Sequence, residues 1–369
     1  MRVLVTGGAG FIGSHTVDLL ISKGYDVKVF DNLEKQVHLN KKPNYLNPKA
    51  KYFFGDIRRI KDWMEAIKDV DAIIHLAALV GVGQSMYQPK RYLIINTIGT
   101  SNLYEILIKK RNISKRIKKI IVASSKSIYG EGAYYCKEHK LVYPNLRQRG
   151  QLEKKDWEVH CPYCNDYVKP VGINEDKPVQ NLSIYALSKY DTERIAINLG
   201  FALKIPTIAL RYFNVYGPRQ SLSNPYTGVL AIFLSRIKNN RSPIIFEDGN
   251  QMRDFIYVGD IAYVNLLALE SDRSGIYNVG TGRPVSILEV AKMMLKILDS
   301  KVQPIITEEY RYGDNRHDFA DISKIREELK FQPKWSLEKG IESLVEWASK
   351  ENAIDMFDKA EMERKKYLS

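Results

Sequence analysis

Short apolar runs alternate with longer amphipathic stretches over the first 125 residues of the chain. Polar residues, glycine and aspartate bound the apolar runs, which is typical of buried strands in a parallel sheet. The predicted strands cover residues 3–5, 27–30, 51–57, 71–78 and 119–123, and the predicted helices cover 11–23, 60–68 and 94–110. Strands that alternate with helices in this way predict an α/β fold with a doubly wound parallel sheet.

Glycines fill the turn between the first predicted strand and the first predicted helix. Gly8, Gly10 and Gly13 have G-x-G-x-x-G spacing, and the next strand delivers Asp31. Such a turn lets backbone amides approach a pyrophosphate, while the aspartate binds ribose hydroxyls and repels a 2′-phosphate. The pattern predicts a Rossmann fold with NAD, rather than NADP, as its cofactor. The alternative is a purely structural glycine turn.

Candidate catalytic side chains come next along the chain. Ser124 and Ser125 close the strand at 119–123, at the sheet edge where ligands bind in such folds. Tyr185 and Lys189 lie one turn apart on a later predicted helix. His75 lies within the apolar run 71–78, so we predict a core histidine rather than a catalyst.

Several segments follow one another in an order typical of one enzyme family. They are GGAGFIG at 7–13, LAA at 76–78, SS at 124–125, YALSK at 185–189, RYFNVYGP at 211–218, RDFIYVGD at 253–260 and YNVG at 277–280. With these motifs the chain resembles an extended short-chain dehydrogenase/reductase of the nucleotide-sugar epimerase and dehydratase group. The resemblance implies an NAD-binding domain at 1–212, a mainly nucleotide-sugar-binding domain at 213–369, and a homodimer formed through helices 94–110 and 185–200.

The resemblance also implies roles for individual residues. Tyr185 is the base that takes a proton from a sugar hydroxyl, Ser125 binds the same oxygen, and Lys189 stabilises the phenolate and anchors the nicotinamide ribose. The implied NAD contacts are Gly7, Gly10, Phe11, Ile12, Asp31, Asn32, Asp56, Ile57, Leu76, Ala77, Ala78, Asn96, Ser124, Tyr185, Lys189 and Tyr212. The implied substrate contacts are Val82, Ser125, Asn214, Val229, Phe246, Arg253 and Arg311, although Phe246 is equally well explained as a core strand residue.

Two neighbours of Ser125 bear on the reaction. Dehydratases of this group carry Asp-Glu directly after the catalytic Ser or Thr, whereas this chain has Lys126 and Ser127. The sequence therefore favours a 4-epimerase, which oxidises C4 transiently and returns the hydride to the opposite face. A 4,6-dehydratase or net reductase of a similar sugar nucleotide is the alternative within enzymes. A dinucleotide-sensing binding protein is the alternative from another class, and the intact catalytic residues argue against it.

The sugar is predicted from resemblance to one branch of the family. The loop at 224–228 resembles that of dTDP-L-rhamnose 4-epimerases, which implies conversion of dTDP-L-rhamnose to dTDP-6-deoxy-L-talose. In UDP-galactose 4-epimerases a lysine follows the residue pair that ends the fourth strand, but here Val80 follows Leu79. A UDP-glucose/UDP-galactose-type 4-epimerase remains the alternative.

An insertion separates the serine from the tyrosine and contains every cysteine of the chain. Cys136 and His139 form one knuckle, and Cys161 and Cys164 form a second. Two such knuckles resemble a zinc-ribbon site, and a metal would account for the folding of a short polar segment, 131–178, that can bury little core of its own. His160 competes as the fourth ligand. Free thiols without metal and a disulfide are the alternatives.

Composition and charge bear on nucleic-acid binding, membrane insertion and location in the cell. The chain has 44% hydrophobic residues, 27% charged residues and a formal net charge of +13. Its basic residues are mostly scattered, so we expect no nucleic-acid partner, and anionic nucleotides explain the positive charge. No apolar run is long enough for a membrane span, and the first strand leaves no room for a signal peptide, so we expect a cytoplasmic protein. A charged helix at 353–367 is predicted to be solvated.

Overall fold

The computed structural model describes residues 1–39 and 41–368. It has one large sheet and three small ones. The strands are β1 Arg2–Thr6, β2 Asp26–Asp31, β3 Lys51–Phe54, β4 Ala72–His75, β5 Lys119–Ser125, β6 Ala133–Cys136, β7 Lys140–Val142, β8 Lys169–Val171, β9 Thr207–Tyr212, β10 Asn214–Tyr216, β11 Ile244–Ile245, β12 Met252–Tyr257, β13 Gly275–Val279, β14 Pro284–Ser286 and β15 Ile305–Ile306.

Helices connect most of these strands. They are α1 Phe11–Ser22, α2 Lys35–His38, α3 Ile60–Ala66, α4 Val82–Tyr87, α5 Pro89–Tyr92, α6 Gly99–Lys109, α7 Arg111–Ser114, α8 Arg149–Glu153, α9 Ile184–Leu203, α10 Val229–Lys238, α11 Val258–Glu270, α12 Ile287–Ile297, α13 Ser323–Glu328, α14 Leu337–Ser349 and α15 Phe357–Leu368. No helix among the described residues has the length and apolar character that crossing a membrane requires.

The large sheet is the Rossmann sheet that the apolar runs predict. Its strand order is β13-β9-β5-β4-β1-β2-β3, and every pair in it is parallel. Every residue of β5 is buried, and apolar clusters lie on both faces of the sheet. The chain order reverses between β1 and β4, and ligands bind at such a switch point, outside the carboxyl ends of the strands.

Some predicted element boundaries differ from the observed ones. The strand predicted at 51–57 ends at Phe54. The strand predicted at 71–78 ends at His75, so Leu76, Ala77 and Ala78 form a loop beyond the sheet. The helix predicted at 94–110 begins as a π-helical turn, Leu93–Ile98, before α6. The chain returns to the large sheet at β13, which pairs with β9, and the division into domains at 1–212 and 213–369 stays a prediction.

The C-terminal part has its own core. Helices α10, α12 and α14 surround an apolar cluster that includes Leu234, Val290 and Leu344. The terminal helix, predicted at 353–367 and expected to be solvated, is α15 at Phe357–Leu368, and several of its residues line the central cavity. The expectation of a solvated tail holds for one face of this helix, which includes exposed Asp358, Lys359 and Met362, whereas the opposite face packs against the cavity wall.

The insertion forms a small antiparallel sheet of its own. Its strand order is β7-β6-β8, and its compact cluster of buried side chains includes Tyr134, Cys136, Val159 and Cys161. So few apolar residues stabilise a segment of this length only weakly. The insertion is therefore a module that depends on further contacts.

Candidate active site

The carboxyl ends of β1, β4 and β5 open into a cavity of about 700 Å³, a volume typical of ligand sites. The cavity extends from the glycine turn to the C-terminal part of the chain. The predicted cofactor residues that line it are Gly7, Gly10, Phe11, Ile12, Asp31, Asn32, Asp56, Ile57, Leu76, Ala77, Ala78, Ser124, Tyr185, Lys189 and Tyr212. The predicted substrate residues that line it are Val82, Ser125, Asn214, Val229, Phe246, Arg253 and Arg311.

The glycine turn is packed too closely for side chains. A Cβ atom on Gly13 would lie 2.1 Å from the carbonyl oxygen of Gly7. Gly7 itself has φ of +68°, and a Cβ there would lie 2.8 Å from the Ala77 amide nitrogen. Helix α1 begins at Phe11, so its first-turn amides, which have no partner within the helix, face the cavity. This is a cradle for a phosphate group.

Asp31 fixes the rim of that cradle. Its side chain is buried, with Oδ2 accepting from the Ala9 amide at 3.0 Å and Oδ1 accepting from the Leu33 amide at 2.8 Å. Each carboxylate oxygen keeps acceptor capacity for a further donor. The site therefore offers carboxyl oxygens as acceptors where the G-x-G-x-x-G pattern calls for a ribose ligand.

The catalytic candidates meet at the end of β5. The Ser125 hydroxyl accepts from the Ser127 hydroxyl at 2.9 Å, and Ser125 and Tyr185 both line the cavity. Because Ser127 is already the donor in the first bond, the proton of Ser125 is available for Tyr185 or a ligand oxygen. Lys189 lies one turn further along α9 and is 4% exposed.

Burial sets the protonation of this group. It raises the pKa of Tyr185, and the Ser125 side chain offsets only part of that rise. It also lowers the pKa of Lys189 to about 8, although the nearby Glu193 carboxylate acts in the opposite direction. We expected Lys189 to lower the pKa of Tyr185. The protein's own groups instead leave that pKa raised. Bound NAD would supply a positive charge of the kind that the expectation requires.

A buried ion pair behind the site was not predicted. Glu193, which is 0% exposed, accepts from Arg211 Nη2 at 2.7 Å and Nε at 2.9 Å. The same carboxylate accepts from the Ser124 hydroxyl at 2.7 Å. One carboxylate thus ties the end of β5 to α9, which carries Tyr185 and Lys189. Its position four residues after Lys189 is the sequence signal that could have identified it.

Replacing Glu193 by Gln tests this link. The substitution keeps the shape but leaves the Arg211 charge buried without its counter-ion, so we expect a loss of about 3–5 kcal/mol in the free energy of unfolding. Urea denaturation measures the loss. The matched change Glu342→Gln, at an exposed position on α14, should alter the value by less than about 0.5 kcal/mol. Equal losses in the two variants would contradict the role of Glu193.

Asn96 and His75 lie behind the cavity wall. The Asn96 side chain accepts from the Leu79 amide at 2.8 Å and donates to the Leu79 carbonyl and the Ser188 hydroxyl. These bonds make Asn96 a support for the loop after β4, and the implied NAD contact of Asn96 stays a prediction. His75 bonds Thr6 at 2.7 Å and Thr100 at 3.0 Å, and burial lowers its pKa to about 3. The structure confirms the prediction of a core histidine.

The far wall of the cavity holds two arginines in different situations. Arg253 donates to the carbonyls of Met252, Asn315 and Arg316, and its Nε lies 3.3 Å from Asp318. Little of its hydrogen-bonding capacity remains for a ligand. The Arg311 guanidinium lies 4.0 Å from the ring centroid of Phe246, so Phe246 belongs to the cavity wall rather than to a core strand.

Comparisons with known proteins match this geometry. The protein-family model described as GDP-mannose 4,6 dehydratase matches residues 4–146. The family model described as NAD dependent epimerase/dehydratase family matches residues 162–280. A dTDP-L-rhamnose 4-epimerase of Burkholderia thailandensis is 35% identical over 356 residues, 95% of each chain. The chain belongs to the extended short-chain dehydrogenase/reductase family. It is an NAD-dependent nucleotide-sugar epimerase of that family, which confirms the resemblance.

Two solved structures agree. A Thermotoga maritima UDP-glucose 4-epimerase with UDP-glucose has a TM-score of 0.77 at 33% identity, covering 95% of this chain and 99% of that one. A Bacillus cereus UDP-glucuronic acid 4-epimerase, in complex with UDP-glucuronic acid and NAD, has a TM-score of 0.76 at 27% identity and the same coverage. The similarity extends over 95% of this chain in both comparisons.

The epimerase also carries a cluster of sulfur and nitrogen atoms in its insertion. The ligand atoms of Cys136, His139, Cys161 and Cys164 all lie within 4.8 Å of one another. Cys136 Sγ lies 3.7 Å from both His139 Nδ1 and Cys164 Sγ, and Cys161 Sγ lies 3.6 Å from His139 Nδ1. The three thiols are not joined by a disulfide. His160 bonds Asp156 and the Asn165 carbonyl instead, which removes it as the competing ligand.

Proposed function

We propose that this epimerase inverts C4 of a nucleotide-diphosphate sugar, with dTDP-L-rhamnose as substrate and dTDP-6-deoxy-L-talose as product. The observation that carries the proposal is that Ser125, Tyr185 and Lys189 line the same cavity as the glycine cradle. NAD fits that cradle by its glycine packing and its Asp31 acceptor, and when bound it supplies the acceptor and donor of the C4 hydride.

The protein's own groups handle the proton. Tyr185 takes the proton of the C4 hydroxyl and later returns it, while Ser125 holds the same oxygen by hydrogen bond. Lys189 places a cation one turn from the phenol, and its lowered pKa, near 8, leaves most of that charge in place at neutral pH. Proton transfer and ligand orientation can therefore both occur at the end of β5.

Dehydration is disfavoured by the two residues after Ser125. Lys126 Nζ donates to Asp318 at 2.6 Å, and the Ser127 hydroxyl donates to Ser125. Neither side chain offers the acid and base that elimination of water across C5 and C6 requires. The chemistry available at these positions is oxidation at C4 and its reversal.

Support for a 6-deoxy sugar comes from the loop after β4. Residues 79–83 line the cavity and contribute no charged or hydroxyl side chain, and the Val80 and Val82 side chains are exposed there. An apolar wall suits a methyl group better than a hydroxymethyl group. The similarity to the Burkholderia thailandensis enzyme supports the same sugar.

Turnover followed by proton NMR tests the proposal. Purified protein is incubated without added NAD with dTDP-L-rhamnose, and separately with UDP-glucose and UDP-galactose. We expect the C4 epimer to form from dTDP-L-rhamnose without net absorbance change at 340 nm. If only UDP-glucose or UDP-galactose is converted, the proposed substrate is wrong but the proposed 4-epimerisation stands. Return of every sugar unchanged, even with NAD supplied, would contradict 4-epimerisation of these substrates.

The insertion is proposed to bind a structural zinc ion through Cys136, His139, Cys161 and Cys164. Tetrahedral zinc, with bonds of about 2.0–2.3 Å, places its ligand atoms about 3.5–3.8 Å apart. The 3.6 and 3.7 Å separations fit that geometry and exceed a disulfide bond length. The four protein ligands complete the coordination, so the ion has no open position for catalysis.

A homodimer is proposed through α6 and α9. Exposed apolar side chains support it: Ile108 on α6 is 46% exposed, and Phe201 on α9 is 87% exposed. Burial of such residues against a second copy would stabilise the pair. Light scattering coupled to gel filtration measures the mass directly.

A further inference from the structure

The terminal helix α15 forms one wall of the cavity. Phe357, Ala360, Glu361 and Arg364 project from it into the cavity lining. The residues spaced at 357, 360, 361 and 364 share one helical face, which explains why they point the same way. This wall belongs to the same cavity as the catalytic group and Arg311.

The Glu361 carboxylate lies between two guanidinium groups. Arg364 donates to its Oε2 from Nε at 3.1 Å and from Nη2 at 3.0 Å, and Arg311 Nη2 donates to its Oε1. The Glu361 side chain is 18% exposed. Two arginines converging on one anion in a cavity are a binding geometry for a phosphate or diphosphate group.

Arg311 keeps a donor that Glu361 does not use. Its Nε is buried and has no hydrogen-bond partner among residues 1–39 and 41–368. A buried donor without a partner is unfavourable, so a ligand with more acceptor oxygens than a carboxylate improves this site. The face of Phe246 holds the guanidinium in place beneath it.

A second set of contacts fixes the helix across the cavity mouth. Glu363 accepts from the Tyr87 hydroxyl at 3.1 Å and from the Tyr226 hydroxyl, and the Tyr367 ring stacks on Tyr87 with centroids 5.2 Å apart. Before the helix, Asp355 pairs with the buried Arg236 at 3.2 Å. The helix is thus held at both ends, while Glu361 contacts the cavity arginines in between.

We propose that Arg364 joins Arg311 in binding the diphosphate of the sugar nucleotide, and that Glu361 occupies their shared anion site until the diphosphate displaces it. This inference rests on the proposed nucleotide-sugar substrate. A diphosphate carries more charge and more acceptor oxygens than a carboxylate, so it satisfies both arginines and the free Arg311 Nε together. Because Glu361 must leave first, the apparent Kd equals the intrinsic Kd divided by the fraction of molecules in which Glu361 is not bound to the arginines.

Nucleotide affinity tests the pair directly. Isothermal titration with UDP and with dTDP gives Kd for the wild type and for variants, without depending on turnover. Removing the competing charge with Glu361→Gln should lower Kd about three- to tenfold, the change expected when the Glu361-bound form predominates. Losing one arginine with Arg364→Gln should raise Kd about tenfold. The exposed matched control Glu342→Gln should leave Kd unchanged.

The outcomes separate this inference from the proposed function. A wild type that binds neither UDP nor dTDP contradicts the nucleotide-sugar function itself. A wild type that binds, together with a Glu361→Gln variant of equal or weaker affinity, overturns the competitor role. An Arg364→Gln variant with wild-type Kd overturns the second arginine. If the Glu361→Gln variant unfolds at a lower temperature than the wild type, the titrations are repeated with Glu361→Ala.

Discussion

Replacing Tyr185 by Phe is expected to lower kcat by about 10³-fold. The phenol lines the cavity together with Ser125 and Lys189, and general acid–base catalysis contributes about 10²–10⁴-fold in enzymes. Phenylalanine keeps the ring and its packing beside Tyr92 but has no proton to accept or return. Initial rates of C4 epimer formation, followed by NMR at saturating substrate, measure the change.

The control for this prediction is another Tyr→Phe change away from the cavity. Tyr135 on β6 is 44% exposed, and its Phe variant should retain the wild-type kcat. The Tyr185→Phe protein should also keep the bound NAD and the UDP affinity of the wild type, since the cradle and the arginines are untouched. A kcat within threefold of the wild type would contradict the assignment of Tyr185 as the base.

Local patterns predicted the parts of the site that the backbone builds. The glycine turn, Asp31 and the strand-end serines are positions where the α/β fold itself determines geometry, so spacing and strand order were sufficient. The ends of these strands lie next to one another as expected, because the large sheet is parallel throughout. Tyr185 and Lys189 on α9 were predicted as neighbours because residues four apart lie on the same face of a helix.

Local sequence patterns do not predict which side chains from other parts of the chain a residue contacts. Nothing local distinguishes Asn96, whose amide binds the chain at Leu79, from a residue that binds NAD. Arg253 matches a substrate-binding position in the family, yet its donors are mostly engaged by carbonyls from 315 and 316. The partners that decide these roles are 17 residues away for Asn96 and more than 60 residues away for Arg253.

The terminal helix shows the same limit more strongly. Its composition predicts a solvated segment, because charged residues outnumber apolar ones. In the structure those charges have partners in the cavity wall, Arg311 with Glu361 and Tyr226 with Glu363. Charge patterning along one helix cannot reveal counter-ions that other elements supply. The fold therefore had to be known before this helix could be assigned to the cavity wall.

The insertion is coupled to the cavity by buried charges. Arg147 donates to Glu247 at 2.8 and 2.9 Å, and Glu158 binds Arg316, which is 0% exposed and also binds Glu247. Glu247 in turn lines the cavity. Loss of order in the insertion would leave several of these charges unpaired. The stability of the module thus affects the wall that faces the substrate.

Removing one proposed zinc ligand is therefore expected to have the second large effect. Cys161→Ser should reduce the metal content from about one zinc per chain to near zero, because serine is a poor ligand for zinc at neutral pH. Structural zinc contributes about 10 kcal/mol to small metal-dependent folds, far more than the few apolar residues of the module. We expect rapid proteolysis within 131–178 and a thermal midpoint lowered by at least about 5 °C.

Elemental analysis and limited trypsin digestion of the same preparations measure these changes. The matched control is His160→Asn, which lies beside Cys161 but bonds Asp156 instead of the cluster, so it should retain zinc and protease resistance. A wild-type protein purified without chelator that contains no zinc, yet resists trypsin within 131–178, would contradict the metal site. A Cys161→Ser variant with wild-type zinc content would exclude Cys161 as a ligand, whereas loss of zinc with unchanged stability would separate metal binding from the folding of the module.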